Sequence, residues 1–456
     1  MEEKDITKSD NRIGKPMFTQ KQIYQLMIPL MIEQLLTVTV GAADSMMVSV
    51  AGEAAVSGVS LVDALNNLIL QIMAALATGG TVVCSQYLGR KKAEEACKAA
   101  NQLVFTTVVF GLAVMVLMLA GGRGLLQVIF GQTEKAVMDQ SVTYIMIIVI
   151  SYPFMAIYNS AAALFRSMGN SRISMEVSLL MNVINIIGNA ILIFGCSMGV
   201  AGAAIATVFS RIVGSLLILM LISRPGHEIH VSDLRHLKPQ PVLIKKILTV
   251  GIPTGMENGI FQLGKIMVLS MITGYGTASI MANSVANSLT LFMIIPGTSI
   301  SLAIVTVVGQ CIGAGEIRQA RRYTWQLVWT SCLMIAGVSM ILLLLRPQLL
   351  GLYHMSAESY QMAYTLMFWH FIAGLIWPLS FNLPNALRAG NDARYTMIIA
   401  MISMWSFRVL LSYVLGTSFG WGLYGVWIAM FVDWIFRTIF FVARFRGEKW
   451  HARKLI

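Results

Sequence analysis

The chain has 456 residues, of which 57% are hydrophobic and only 12% charged, where a soluble domain carries about 25% charged residues. A soluble enzyme, a secreted disulfide scaffold and a disordered chain are excluded by that composition, and a membrane protein is expected. Lys and Arg outnumber Asp and Glu by 33 to 21, but they sit between apolar runs rather than on one face, so the excess reports orientation in a bilayer and not nucleic-acid binding.

At about 20 apolar residues per crossing, the first half offers spans near 22–49, 56–88, 97–121, 139–166, 173–196 and 199–223. The second half offers spans near 242–273, 278–312, 320–345, 359–387, 395–416 and 422–443. The expected fold is an all-α integral membrane protein with twelve transmembrane helices. Residues 1–21 read as a polar tail before a retained first span, because the first apolar run is too long for a signal peptide. Residues 22–223 form a first lobe, 224–241 a linker with Pro225, Pro239, His227 and His230, 242–445 a second lobe, and 446–456 a tail. The five cysteines, Cys84, Cys97, Cys196, Cys311 and Cys332, show no metal-ligand pairing and read as free thiols.

Placing both termini in the cytoplasm leaves only Arg123, Lys135 and Arg346 in the opposite loops, with Arg211, Lys265, Arg408 and Arg437 inside spans. All other Lys and Arg then fall on the cytoplasmic side, an asymmetry that fixes orientation.

The halves repeat each other. Pro29 and Pro253, Glu33 and Glu257, Gln86 and Gln310, Gly89 and Gly313, and Ala96 and Ala320 are each 224 residues apart, and Pro153 with Pro378, Gly169 with Gly390 and Gly202 with Gly425 follow within three residues of that offset. Six spans per repeat keep both in the same orientation, so the lobes should be related by a pseudo-two-fold axis along the membrane normal, with a passage between them. Pro29, Pro153, Pro253, Pro296, Pro378 and Pro384 fall within apolar runs and should kink or hinge their helices. Gly251, Gly255 and Gly259 share one face of the seventh span, which permits close helix packing.

An ionisable side chain within the bilayer requires a partner, a water-filled cavity or a neutral form. Asp44 on the first span, Asp63 on the second, and Asn185 and Asn189 on the fifth lie at a shared depth, about 10 Å below the outer boundary. Asn185 and Asn189, four apart, face the same way. Carboxylates with amide oxygens at a half-hydrated lumen suit a proton or a sodium ion, which makes Asp44 the candidate ion site. Asp63 reads as a second ion-site acid or as an attractor of cationic cargo. Glu33, Gln34, Asn159, Glu257, Gln262 and Lys265 are candidate polar residues of the cavity. Asp433 and Arg437, four apart on the last span, read as an internal ion pair with Arg408 as a further partner. The 31 methionines and many aromatics could provide an adaptable wall for apolar ligands. No nucleotide-binding loop, paired zinc-ligand histidines or nucleophile elbow is present, so no cofactor and no enzyme activity are expected.

Several segments together carry a family resemblance: Ile28-Pro29 followed by Gly41-Ala42-Ala43-Asp44-Ser45-Met46-Met47-Val48, then Ser85-Gln86-Tyr87-Leu88-Gly89, Arg166-Ser167-Met168-Gly169-Asn170, and Gly199-Val200-Ala201-Gly202 running on to Thr207. In this order they resemble the multidrug and toxic compound extrusion family over nearly the whole chain, and most nearly its bacterial branch with an ion site in the amino-terminal lobe. The resemblance implies two six-helix lobes around an outward-open V, in the bacterial inner membrane. It implies a monomer that exchanges small drug-like organic cations against protons or sodium ions. It assigns the coupling cation to Asp44, with Asn185 and Thr207 in the same pocket, and puts Asn189 where some members have an acid. The second-lobe acids of other branches fall here at Phe261 or Gln262, and the tenth span holds none beyond Glu358.

Two other readings compete. A lipid-linked oligosaccharide flippase of related architecture would favour a strongly cationic lumen, whereas Asp44, Asp63 and Glu257 lean toward cationic cargo. A membrane-embedded enzyme would need clustered His, Asp or Arg at a membrane face, and the histidines are scattered.

Overall fold

The computed structural model describes residues 16–130, 133–232, 238–353, 355–452 and 455–456. These fold into six helical spans per half. The first six are α1 (Gln20–Ser49), α2 (Glu53–Gly89), α3 (Ala93–Phe130), α4 (Lys135–Ser167), α5 (Arg172–Gly195) and α6 (Gly199–Ile222). The second six are α7 (Pro241–Thr273), α8 (Thr277–Gly313), α9 (Ile317–Leu344), α10 (Ala357–Gly374 with Trp377–Ala389), α11 (Ala393–Ser418) and α12 (Gly422–Arg446). Ten of these helices are individually long and apolar enough to cross a bilayer, and the two parts of α10 together make an eleventh. The remaining one, α7, is diluted by Glu257, Asn258, Gln262 and Lys265. No strand is present among the described residues.

Turn chemistry sets the ends. Thr19 caps α1, accepting from the Gln22 backbone at 3.3 Å while Gln22 returns a bond to the Thr19 backbone at 2.8 Å, a reciprocal arrangement that satisfies two otherwise orphaned donors. The repeat-related prolines interrupt equivalent spans to different degrees. Pro153 follows a short 3-10 turn at Val149–Ser151 inside α4, whereas Pro378 follows a 63° bend in α10. Pro29, Pro253 and Pro296 lie within continuous helices.

The lobes interlock at the end of the bundle that carries the linker. The first turns of α1, through Ile23, Leu26, Met27 and Leu30, join a core built by α8 and α9 of the other lobe. Symmetrically, Leu243, Ile247 and Val250 at the start of α7 join the core of α2, α3 and α4. The α7 glycines make this crossing possible. A methyl at Gly251 would meet Leu76 at 3.2 Å, and one at Gly255 or Gly259 would touch Ala75 or Leu68 of α2. The linker is docked as well: Ile229 and Val231 are buried, and Gln102 of α3 holds the Lys238 carbonyl and the Gln240 amide at 3.0 Å each. All five cysteines are free.

Candidate functional site

A cavity of 510 Å³ lies inside the first lobe, walled by α1, α2, α4, α5 and α6. Asp44, Asp63, Asn185, Asn189 and Thr207 all line it, and so do Glu33, Gln34 and Asn159. Asp44 is half-buried on α1. Asn189 donates to its Oδ1 at 2.8 Å. The Asn185 amide, oriented so that each of its atoms meets a complementary partner, donates to Asp44 Oδ1 at 2.7 Å and accepts from the Thr207 hydroxyl at 3.0 Å. Asn189 Oδ1 is buried with no hydrogen-bond donor, which leaves a carbonyl oxygen free beside a carboxylate. That pairing of hard oxygens suits a monovalent cation, and the carboxylate alone suits a proton.

Two neighbours complete the electrostatics. Asp63 on α2 lies within electrostatic range of Asp44, with the Asn66 side chain one turn further along the same helix. Arg211, one turn past Thr207 on α6, is within range of both acids and donates to Ser151 Oγ at 2.8 Å. No arginine or lysine comes within ion-pair distance of Asp44, Asp63 or Glu33 among the described residues. Sequence reasoning places Arg211 inside a span without giving it a role; its four-residue spacing from Thr207, which puts both on one helix face, is the signal that finds it.

At the inner end of the same cavity, Glu33 accepts from Ser174 Oγ at 3.0 Å and from the Tyr158 hydroxyl at 3.3 Å. Its repeat counterpart differs. Glu257 was expected among the cavity residues, but it is buried against Arg388, Nη2 to Oε2 at 2.7 Å, and accepts from Thr396 Oγ1 at 3.3 Å. The bend of α10 carries Arg388, which reads as a loop residue in the sequence, into the protein. Gln262 and Lys265 likewise lie outside the first-lobe cavity. The expected pair on α12 is present, with Arg437 Nε at 2.9 Å from Asp433 Oδ1 and Arg408 Nη1 at 3.9 Å from Oδ2. Ser403 also donates to Asp433. Asp392 is held by Arg444 at 2.7 Å. The buried carboxylates of the second lobe, Glu257, Asp392 and Asp433, are thus each matched by arginine, while those lining the first-lobe cavity are not.

The MatE family model matches residues 29–191 and again 253–414, so each match covers one repeat. The chain belongs to the MatE family. Like its family, this MatE protein is a transporter and not an enzyme, and it crosses the membrane many times. It is 28% identical to "Uncharacterized transporter YisQ" of Bacillus subtilis (strain 168), with 96% of each chain covered. It is 27% identical to "Probable multidrug resistance protein NorM" of Thermotoga maritima, covering 96% of this chain and 94% of that one. Its fold matches a solved structure described as the outward-facing conformation of a multidrug resistance MATE family transporter of the MOP superfamily. That match has a TM-score of 0.88 at 20% identity and covers 95% of this chain and 96% of the other. The likeness establishes the two-lobe, twelve-helix arrangement for this MatE chain.

Proposed function

We propose that the protein exports amphipathic organic cations in exchange for protons or sodium ions, by alternating access, from a bacterial inner membrane with both termini in the cytoplasm. The observation that carries this reading is the state of Asp44: its carboxylate sits in an open cavity among amide and hydroxyl groups, with no fixed cation at ion-pair distance among the described residues. A carboxylate so placed is held for an exchangeable positive charge. The side of the bundle rich in Lys and Arg supports the orientation, and the names of relatives described as multidrug resistance proteins support the cargo class.

In this mechanism an ion entering from outside neutralises Asp44, with Asn185, Asn189 and Thr207 completing its oxygen shell. Neutralisation favours release of cargo outward and return of the empty site to the inside. One charge moving across a potential of about 150 mV supplies roughly 3.5 kcal/mol, enough for a cargo gradient of a few hundredfold. Nucleotide is not needed.

Efflux of a fluorescent cationic dye from proteoliposomes, with proton and sodium gradients imposed separately, tests the reading. The wild-type protein should respond to one of the two gradients, and Asp44→Asn should lose the response. Full coupled efflux by Asp44→Asn would overturn the assignment.

A further inference from the structure

The segment that follows α12 touches both lobes. It runs Gly447-Glu448-Lys449-Trp450-His451-Ala452 and is described again at Leu455-Ile456, a polar stretch with one tryptophan and, at its far end, two aliphatic residues. The tryptophan is fixed in the second lobe. Arg321 of α9 donates to the Gly447 carbonyl at 2.7 Å, and Trp450 is fully buried, its ring centroid 4.8 Å from that of Phe445. Trp450 lies against Gly390, where an added methyl would overlap its carbonyl and its ring. Gly390 follows Ala389, whose carbonyl accepts a bond from Gln86 of the first lobe. The tryptophan is thus packed on the turn that carries the seam between the lobes.

The far end sits on the first lobe. Leu455 is 9% exposed and joins the apolar cluster built mainly by α2, α3 and α4, with Ile456 packed at its edge. Arg90 donates to the Ile456 carbonyl at 3.0 Å. Arg90 follows Gly89, the α2 residue that packs on the Gln310 backbone of α8. The segment therefore meets the seam twice, once on each side.

The two attachments are unequal. Trp450 buries a whole indole, the largest apolar contact one side chain can make. The tip offers two aliphatic side chains and one hydrogen bond from an exposed arginine, and a bond that water can replace contributes little. Alternating access requires the lobes to part at this end. Because the segment is covalently tied to α12, parting must break its hold on one lobe, and the weaker hold is the tip.

We propose that the segment after α12 is a latch: anchored in the second lobe by Trp450, it fastens the linker ends of the two lobes together through Leu455 and Ile456, and its tip releases the first lobe whenever that end opens. The proposal rests on the alternating-access reading and adds to it the element that biases the resting state toward closure at the linker end.

Ser85 reports on the seam, since it is fully buried and a methyl on Gly309 of α8 would meet its Cβ at 2.9 Å. In purified full-length protein with Ser85→Cys as the one thiol, the native cysteines being replaced by alanine, reaction with a water-soluble maleimide should run several-fold faster after Leu455→Gln with Ile456→Gln. The measurement uses neither ion gradient nor cargo, so a failure of the antiport reading leaves it intact. An unchanged rate in the folded variant would overturn the latch.

A second measurement holds the tip in place and stands if the Ser85→Cys protein does not fold. Arg90→Cys and Ile456→Cys, bridged by a short bis-methanethiosulfonate, should bring dye efflux to background, and reductant should restore it. The same bridge between Arg321→Cys and Gly447→Cys, both in the second lobe, should leave efflux intact. Full efflux through the Arg90–Ile456 bridge would show that the tip never lets go and would end the proposal.

Discussion

Gln86 and Gln310, 224 residues apart, each donate a side-chain hydrogen bond at 2.7 Å to a main-chain carbonyl of the opposite lobe, Gln86 to Ala389 and Gln310 to Ser167. Beside them the repeat-related glycines close the seam. A methyl at Gly89 would overlap the Gln310 carbonyl, and one at Gly313 would overlap that of Gln86. Backbone against backbone leaves no flexible side chain to yield. Gly313→Ala should therefore fold within each lobe but hold the seam open. Reaction of a single reporter cysteine at the seam with a water-soluble maleimide should rise several-fold, and dye efflux should fall to background. Unchanged labelling with full transport would show that the seam does not need to close.

The buried pair of Glu257 with Arg388 makes a stability prediction. Removing one partner of a buried ion pair costs about 3–5 kcal/mol, whereas replacing both with apolar groups of similar volume is near neutral. Arg388→Met should lower the thermal midpoint of the purified protein markedly. Glu257→Leu combined with Arg388→Met should recover most of it and keep ion-coupled transport. If the double variant is stable but uncoupled, the pair belongs to the transport cycle rather than to the scaffold.

Asn189 bonds Asp44 directly at 2.8 Å, and hydrogen bonds to charged groups are worth about 1.5–3 kcal/mol. Asn189→Leu removes both that donor and the free carbonyl oxygen beside the carboxylate. The external concentration of the coupling ion needed for half-maximal efflux should rise roughly 10- to 100-fold, with the maximal rate less affected. An unchanged ion requirement would place the coupling ion away from this amide.

The spans are legible in the sequence because the bilayer demands uninterrupted apolar length, and the twelve runs coincide with the helices to within four residues, except that α3 runs on to Phe130, nine residues past the expected end at 121. The shared depth of Asp44, Asp63, Asn185 and Asn189 is legible for the same reason: along a helix, residue count is distance. What sequence does not reveal is which side of a helix meets which neighbour. Glu33 and Glu257 are indistinguishable by position, yet one faces a cavity with two hydroxyl partners and the other faces an arginine. That arginine sits at the end of a run broken by Pro378 and Pro384, and nothing local shows that the chain turns it inward. Arg211 escapes notice because a lone basic residue in an apolar run looks the same whether it meets lipid headgroups or acids.

The glycine seam also shapes how this transporter can evolve. Because a collision there is with main chain, no second mutation that trims a neighbouring side chain can rescue a larger residue at position 89 or 313. Variants selected for a new cargo should accumulate on the walls of the parted lobes, where side chains face open space, and should leave the joint between the duplicated halves untouched.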